Sequence, residues 1–363
     1  MRSFTYDALP GRVVFGPGRR ADLPAEVDRL GLEDVMVIAD DNAKHTADEL
    51  VASLGERVAT RWHGVAQHVP TDLAEAARAA ASGAGVDGIV TVGGGSTTGL
   101  AKAIALVAAT PIVAVPTTYA GSEMTPIYGL TGERKETGRD LRVLPRAVVY
   151  DPELTLDLSA AVTASSAFNA IAHCVEALYG PGANPITSLM AEEAIRAIAT
   201  ALPRSAQDPR DLDARSDLLY GAYLAGAALA VVGMALHHKI CHVLGGTFGL
   251  VHGDVNAVIL PHVVAYNTAG APEAIARVAA AVGAEPAAGA LFELAASVEA
   301  PTSLAEIGMP EEGLDLVAER TVAETTFNPT PVDVPGVRAF LDDAWHGRRP
   351  AAAGGGAEGA GNT

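Results

Sequence analysis

Between Arg12 and Asp151, short apolar runs alternate with amphipathic stretches. Within the amphipathic stretches, apolar residues recur at spacings of three and four, which is the period of a helix, and glycines stand near their ends. The apolar runs predict strands starting at Val13, Val35, Val58, Gly88, Pro111 and Ala147. Strands and helices in alternation indicate a mostly parallel sheet with helices on both faces.

The pattern changes after Asp151. From about residue 158 to 345 one helical pattern follows another, rich in Ala and Leu and without a convincing strand. This predicts a dinucleotide-binding α/β domain over residues 1–155 and an all-helical substrate and catalytic domain over 156–345. The low-complexity residues 346–363 predict a disordered tail, and the prolines and charges of 129–145 predict a long hairpin or loop.

Composition narrows the class of protein. With 363 residues and 49% hydrophobic residues, the chain is long enough for two domains with real cores. A formal net charge of -18 argues against nucleic acid or an anionic membrane as a partner. No uninterrupted apolar run reaches the roughly 18 residues of a spanning helix, and the first residues lack the apolar core of a signal peptide. We therefore expect a cytoplasmic protein that acts on a small molecule.

Two loops and one aspartate follow predicted strands, where open parallel sheets bind ligands. The turn after the fourth strand consists of Gly93, Gly94, Gly95 and Ser96, and a pyrophosphate could sit at the helix it opens. A tight turn that needs positive φ explains the glycines equally well. The loop 116–126 offers the hydroxyls of Thr117, Thr118 and Ser122. Asp40 ends the second strand and could accept hydrogen bonds from a ribose, or be an ordinary turn aspartate.

Histidines cluster in an otherwise apolar region. His238 and His242 are four residues apart and share a helix face, whereas His237 points about 100° away. A glycine-rich turn then allows His252 to lie nearby, and Asn169 and His173 repeat the four-residue spacing on an earlier helix. Such a convergence indicates either a metal site or a proton-transfer site. For any single histidine, the simpler interpretation is a core or surface residue whose hydrogen bonds are satisfied and which has no function.

With these residues in view, the chain resembles the iron-containing alcohol dehydrogenase superfamily and, within it, the maleylacetate reductase branch. The resemblance runs over residues 1–345. Its motifs are GRVVFG, GGGSTTGLAKAIAL, PTTYAGSEMTPIYGLT, VLPRAVVYDPELTLDL, FNAIAHCVEALY, HHKICHVLGG, VHGDVNAVILPHV and FNPTPV. It implies an α/β dinucleotide-binding domain followed by a helical domain, as in the dehydroquinate synthase-like fold.

The resemblance also assigns residues. Gly93 to Ser96 match the family's pyrophosphate loop, and Thr117, Thr118 and Ser122 match its nicotinamide-side loop. Asp40 matches the ribose aspartate of NAD-preferring members, which implies NADH as cofactor, with NADPH left open. The metal-binding Asp and three His of metal-dependent members correspond to Asn169, His173, His238 and His252. Because an amide replaces the carboxylate, and Gly99 stands where an Asp is usual, we expect no metal.

The activity implied is reduction of 2-maleylacetate to 3-oxoadipate in the breakdown of aromatic compounds. His242 and His252 are the expected donors or proton source, with His173 and His238 in the same catalytic cluster. Asn169, Tyr119 and Lys239 are the candidate substrate-binding residues, and the family implies a homodimer.

Three alternatives remain open. One is a metal-dependent alcohol or polyol dehydrogenase of the same fold, and another is a reductase of a different unsaturated oxo-acid. The third is a nucleotide-binding protein that has lost its chemistry, against which the intact histidine set argues.

Overall fold

The computed structural model describes residues 4–9, 11–67, 69–132 and 135–350. It divides into two compact units. The first, called the α/β unit here, comprises Asp7–Leu158 and Asp208–Ala230. The second, the helical unit, comprises Ser159–Gln207, the chain from Val231 onward and the few residues up to Tyr6.

A six-stranded parallel sheet forms the centre of the α/β unit, in the order β1-β8-β5-β4-β2-β3. Its strands are β1 (Arg12–Phe15), β2 (Val35–Ala39), β3 (Val58–Trp62), β4 (Gly88–Gly93), β5 (Ile112–Pro116) and β8 (Ala147–Tyr150). The four inner strands are buried along their whole length, because helices cover both faces. All six predicted strands are confirmed.

Four helices cover this sheet: α1 (Leu23–Arg29), α2 (Lys44–Leu54), α3 (Thr71–Gly83) and α4 (Gly95–Ala108). Alternate strand residues face opposite cores. Val35 and Val37 of β2 pack in one core with residues of α1 and α2, whereas Met36 and Ile38 pack in the other with residues of α3 and α4. The predicted doubly covered sheet is therefore confirmed in both its strands and its two layers.

The charged stretch after the fifth strand forms an antiparallel hairpin of β6 (Ile127–Thr131) and β7 (Lys135–Arg139). This agrees with the predicted hairpin, and its tip, residues 133 and 134, lies outside the described residues. Helix α7 (Leu212–Val232) belongs to the α/β unit except for its last two residues.

The described residues of the helical unit contain helices and no strand. The helices are α5 (Ala160–Tyr179), α6 (Pro185–Gln207), α8 (Leu236–Phe248), α9 (His252–Asn267), α10 (Pro272–Val282), α11 (Ala287–Ser297), α12 (Leu314–Glu324) and α13 (Val334–Trp345). One core joins Leu236, Ile240 and Leu244 of α8 to apolar residues of α9, α12 and α13. This core holds the start of α8, where the histidines lie, against its neighbours.

The unit boundaries differ from the predicted domains in two segments. The few residues up to Tyr6 belong to the helical unit. The change of unit after Leu158 is close to the predicted boundary, but Asp208–Ala230 returns to the α/β unit. Its helical pattern could not reveal this, because periodicity shows that a helix is amphipathic and not which core it packs on.

The predicted tail is ordered at its start, where Arg348 pairs with Asp342 and Asp343. Residues 351–363 lie outside the described residues.

Two apolar helical stretches pass a length-and-composition test for a membrane span: Pro272–Ser297, and the bent pair Leu212–Val232 with Leu236–Phe248. Core helices of soluble proteins pass the same test, so these stretches are weak evidence for a membrane. The core helices of this chain are built largely of Ala and Leu, which is why they are apolar enough to qualify.

Candidate active site

The glycine turn and Asp40 are in contact inside the α/β unit. The Asp40 Oδ2 atom accepts hydrogen bonds from the Gly94 N–H and the Thr97 hydroxyl, both at 3.3 Å, and its Oδ1 accepts one from the Ala43 N–H at 2.9 Å. Gly93 has φ 155°, and a Cβ there would overlap Asp40 Oδ2 and Thr97 Oγ1. The turn therefore needs glycine for space as well as for conformation.

The loop after β5 packs on the same turn. A Cβ on Gly94 would lie 3.1 Å from Thr118 Oγ1, and one on Gly95 would lie 3.2 Å from the Ala120 Cβ and 4.0 Å from the Ser122 Cβ. The Thr117 N–H donates to the carbonyl of Gly93. The structure thus brings together, in one unit, all eight residues predicted to bind the cofactor, and the start of α4 offers its unpaired N–H groups at this point.

Lys102 is a residue of this region that the sequence did not reveal. It lies on α4 with its side chain fully buried, and its ammonium group donates to oxygens of the loop after β5. Burial lowers its pKa to about 7, while the nearby charge of Glu123 raises it. In the sequence it is a lysine on an amphipathic helix, which is ordinarily a solvated position.

The histidines converge within the helical unit. The ring of His173 stacks on that of His238 with centroids 4.7 Å apart, and His238 lies 6.5 Å from His252. His242 stacks on His252 at 5.9 Å. Helix α5 supplies His173, α8 supplies His238 and His242, and α9 begins at His252. The four histidines predicted to be catalytic therefore form one cluster.

Glu176, whose role the sequence did not reveal, organises this cluster. Its carboxylate is fully buried and accepts hydrogen bonds of 2.7 Å from the N–H groups of Ala235 and His237, at the start of α8. Its Oε2 also lies 2.7 Å from the Nδ1 atom of His238. A negative charge at a helix N-terminus is stabilised by the helix dipole. Glu176 therefore fixes both where α8 begins and how the His238 ring is oriented.

Electrostatics favour an ionised Glu176 and a neutral His173. Burial opposes ionisation of Glu176, but the charge and hydrogen bond of His238, together with the backbone N–H of Ala235, outweigh it and lower its pKa. For His173, burial and then repulsion from His238 and His252 place the pKa well below the usual histidine value. A neutral imidazole offers one donor and one acceptor, so the cluster can both give and receive a proton.

The orientation of the His238 ring leaves its Nε2 atom without a hydrogen-bond partner among the described residues. Since the Glu176 carboxylate can only accept, Nδ1 carries a proton, and in the neutral ring Nε2 presents a lone pair. This Nε2 and the Nδ1 of His173 are buried and have no hydrogen-bond partner within the described residues. Buried nitrogens without partners are costly unless a ligand, ion or water engages them.

His237 meets the His238 ring edge-on, with centroids 5.1 Å apart, but makes its hydrogen bond with a residue outside the cluster. Its Nε2 lies 2.7 Å from Asn256 Oδ1, and the Asn256 amide donates to the carbonyl of His252. Burial, followed by repulsion from His238, lowers the His237 pKa to about 4. His237 is thus a neutral histidine that links α8 to the first turn of α9.

The remaining predicted substrate residues lie in different settings. Asn169 is buried on α5, one turn before His173. Lys239 is partly exposed, with its ammonium 3.9 Å from the Glu324 carboxylate. Tyr119 is fully buried, and its hydroxyl accepts a hydrogen bond of 3.2 Å from Arg215. This burial leaves Tyr119 inaccessible to a substrate, so the structure gives it a packing role in the α/β unit.

Two family models match the chain. The model of iron-containing alcohol dehydrogenases matches residues 10–152, and the model of the C-terminal region of the Fe-containing alcohol dehydrogenase family matches residues 163–345. The chain belongs to the iron-containing alcohol dehydrogenase family. As a member of this family it is an oxidoreductase.

Relatives are similar over nearly the whole chain. A maleylacetate reductase of Burkholderia cepacia is 49% identical over 96% of this chain and 100% of its own length. The crystal structure of maleylacetate reductase from Agrobacterium tumefaciens has a TM-score of 0.93 and 45% identity, covering 96% of this chain and 100% of that one. An iron-containing alcohol dehydrogenase from Corynebacterium glutamicum has a TM-score of 0.93 and 44% identity, covering 96% and 99%.

The prediction that the protein needs no metal is wrong. The family is that of iron-containing alcohol dehydrogenases, which implies iron or another metal, and a structural relative carries that name. The prediction rested on Asn169 replacing a carboxylate, but three neutral imidazoles suffice for some zinc sites.

The donor atoms present fit such an ion. The unpartnered Nε2 of His238 and Nδ1 of His173 are imidazole nitrogens, and a carboxylate behind a histidine ligand, as Glu176 is here, is the usual arrangement at metal sites. Among the described residues, no three His, Cys, Asp or Glu side chains already form a complete ligand set. The residues that would hold such an ion are His173, His238 and His252.

Proposed function

We propose that the chain reduces 2-maleylacetate to 3-oxoadipate with NADH, in the breakdown of aromatic compounds. The observation that carries this proposal is the similarity to maleylacetate reductases, at 43–49% identity over nearly the full length. NAD(H) suits the α/β unit, whose glycine turn opens a helix beside a carboxylate.

The reaction adds one hydride and one proton across a carbon-carbon double bond that is conjugated to a ketone. Bound NADH supplies the hydride to the alkene carbon distant from the ketone. Negative charge then gathers on the ketone oxygen, and the remaining alkene carbon takes a proton. The protein must therefore stabilise an enolate oxygen and deliver a proton.

The histidine cluster can perform both tasks. We assign His242 and His252 as hydrogen-bond donors and proton source, since their rings stack within the cluster on α8 and α9. His238 is held in one orientation by Glu176, and His173 packs on it. If His173, His238 and His252 held an ion, the ion would polarise the ketone oxygen in place of the His252 donor, and His242 would remain as the proton source.

The substrate's two carboxylates need cations or N–H groups. Lys239 lies on α8 between His238 and His242, and a third of its side chain is exposed. We assign it to one carboxylate, with Asn169 offering its amide beside His173. Displacement of the Glu324 carboxylate by that of the substrate would keep the Lys239 ammonium paired.

A steady-state assay of NADH oxidation tests the function. Maleylacetate, chlorinated maleylacetates, simple ketones and a second unsaturated oxo-acid would each be offered at several concentrations. We expect kcat/KM for maleylacetate to exceed that for simple ketones by orders of magnitude. A higher kcat/KM for another unsaturated oxo-acid, or no activity with any of these compounds, would show that maleylacetate is not the substrate.

A metal-dependent alcohol or polyol dehydrogenase is the second candidate, favoured by the structural relative named iron-containing alcohol dehydrogenase at 44% identity. It predicts NAD-dependent oxidation of short alcohols or diols that rises on addition of ferrous iron or zinc. The same assay run in the oxidative direction decides between the two.

Assembly and location complete the proposal. We place the enzyme in the cytoplasm as a homodimer, on the family resemblance and on the formal net charge of -18, which disfavours nucleic acid and anionic lipid as partners. Light scattering after gel filtration measures the mass in solution, and a monomeric mass at micromolar concentration would contradict the dimer.

A further inference from the structure

Lys102 is surrounded by oxygen atoms of the loop after β5 and of Ile127, the first residue of β6. Its Nζ lies 2.6 Å from the Ser122 carbonyl, 3.2 Å from the Ser122 hydroxyl, 3.0 Å from the Thr125 hydroxyl and 2.8 Å from the Ile127 carbonyl. All four acceptors are uncharged. Because an ammonium has three protons to donate, one of them must be shared.

Burying the Lys102 ammonium group costs free energy of folding. The side chain is fully buried in the α/β unit, and a buried ammonium without a directly paired anion loses its hydration. Burial is the reason that its pKa falls to about 7, and the charge of Glu123 opposes that fall only in part. A methionine would fill the same space without this cost, so packing alone does not account for a lysine here.

Other residues of the loop are fixed by contacts with β8 and α7 that do not involve Ser122. Tyr150 of β8 donates to Glu123 at 2.7 Å, and Arg215 of α7 donates to Tyr119. Gly121 packs on the backbone of Gly226 in α7. Ser122 is one of the predicted nicotinamide-side residues beside the glycine turn. Its carbonyl accepts from Lys102 and, within the loop, from the N–H and the hydroxyl of Thr125, both at 3.1 Å. Lys102 therefore ties Ser122 to α4, whereas the Thr125 contacts stay inside the loop.

We propose that Lys102 is a positioning residue that holds the loop from Thr117 to Thr125 in its nucleotide-binding shape, and so sets the affinity for the nicotinamide half of NADH. This inference rests on the assignment of that loop to the cofactor in the proposed function. Lys102 acts through Ser122 and Thr125, and it contacts neither cofactor nor substrate itself.

The test compares two ligands on the variant Lys102→Met. NADH has a nicotinamide half and ADP does not, so only NADH should sense a change in this loop. Fluorescence titration measures the Kd of NADH, and competition with NADH measures the Kd of ADP. We expect the Kd of NADH to rise about tenfold, which corresponds to about 1.4 kcal/mol, while the Kd of ADP changes less than about twofold. The KM for NADH should rise in parallel, with kcat at saturating NADH retained.

Two further variants keep the test decisive. Thr125→Val removes one of the four acceptors and should weaken NADH binding about threefold. It provides the test in case Lys102→Met does not fold. Arg20→Met removes a half-buried cation that pairs with Asp151 and Glu153, away from this loop. It should lower the melting temperature and leave the Kd of NADH unchanged.

Equal weakening of NADH and ADP in Lys102→Met, or unchanged NADH binding in both loop variants, would overturn the proposal. Binding is measured without substrate, so the outcome does not depend on maleylacetate. A wild-type protein that binds NADH but fails to reduce maleylacetate would contradict the proposed function and leave the role of Lys102 standing.

Discussion

Each unit of this protein contains a completely buried charge, Lys102 in one and Glu176 in the other, and these two charges find their hydrogen-bond partners in opposite ways. Lys102 of the α/β unit donates to four neutral oxygens of the loop after β5 and the start of β6. Glu176 of the helical unit accepts from N–H groups at the start of α8 and from an imidazole. The cation shapes a segment of backbone, whereas the anion orients a ring that can itself exchange a proton. Loss of the first should therefore change binding, and loss of the second should change turnover.

The sharpest test of the turnover side is His242→Ala. Removal of one preorganised donor to a developing oxyanion costs about a hundredfold to a thousandfold in kcat. We expect a loss of this size with the Kd of NADH unchanged. His346→Ala, a change at a partly exposed histidine after α13, is the matched control and should retain kcat. If His242→Ala keeps near-full turnover, His242 does not take part in the reaction.

Glu176→Gln should have a smaller effect on the same quantity. The side-chain amide keeps the shape but directs an NH2 group at one of the backbone or ring donors, so the orientation of His238 is lost. Outer partners of this kind are worth about tenfold to a hundredfold in activity. Measuring both kcat and the Kd of NADH checks whether Glu176 affects turnover where Lys102 affects binding. A Glu176→Gln variant that loses NADH affinity and keeps kcat would contradict this contrast.

Asp40→Ser concerns cofactor choice and should have the smallest effect. A carboxylate beside the adenosine ribose would repel the 2′-phosphate of NADPH, so its removal should raise the NADPH-to-NADH ratio of kcat/KM by about tenfold. Serine retains the ability to cap the turn that Asp40 now caps through Ala43. Asp41→Ser is the neighbouring control. A wild type that already prefers NADPH strongly would show that Asp40 does not face the ribose.

The sequence was sufficient to predict the fold of the α/β unit. Continuous apolar runs with helical patterns between them leave few alternatives to a parallel sheet, and all six predicted strands are present. The placement of Asp208–Ala230 was not predictable, since its partners Tyr119 and Gly121 lie about a hundred residues earlier in the chain.

The candidate site was predictable for the residues with unusual chemistry in an apolar setting. Histidines at helical spacing on apolar helices predict a cluster, and the structure shows that the rings meet. Glu176 and Lys102 were missed because a charged residue within a helical pattern normally indicates a solvated face. Only the packing of α5 on α8 and of α4 on its loop shows that these two charges are inside.

The contact between Gly121 and Gly226 bears on how a mutational scan of this enzyme should be interpreted. A Cβ on Gly226 would lie 2.5 Å from the Gly121 carbonyl oxygen and 3.0 Å from the Met124 Cβ, so even alanine must push the loop aside. In a saturation library selected for activity, Gly226 should tolerate substitution as poorly as a ligand-binding position. Intolerance at that site would report the closeness of two backbones, and an investigator who ranked positions by tolerance alone would assign it to chemistry.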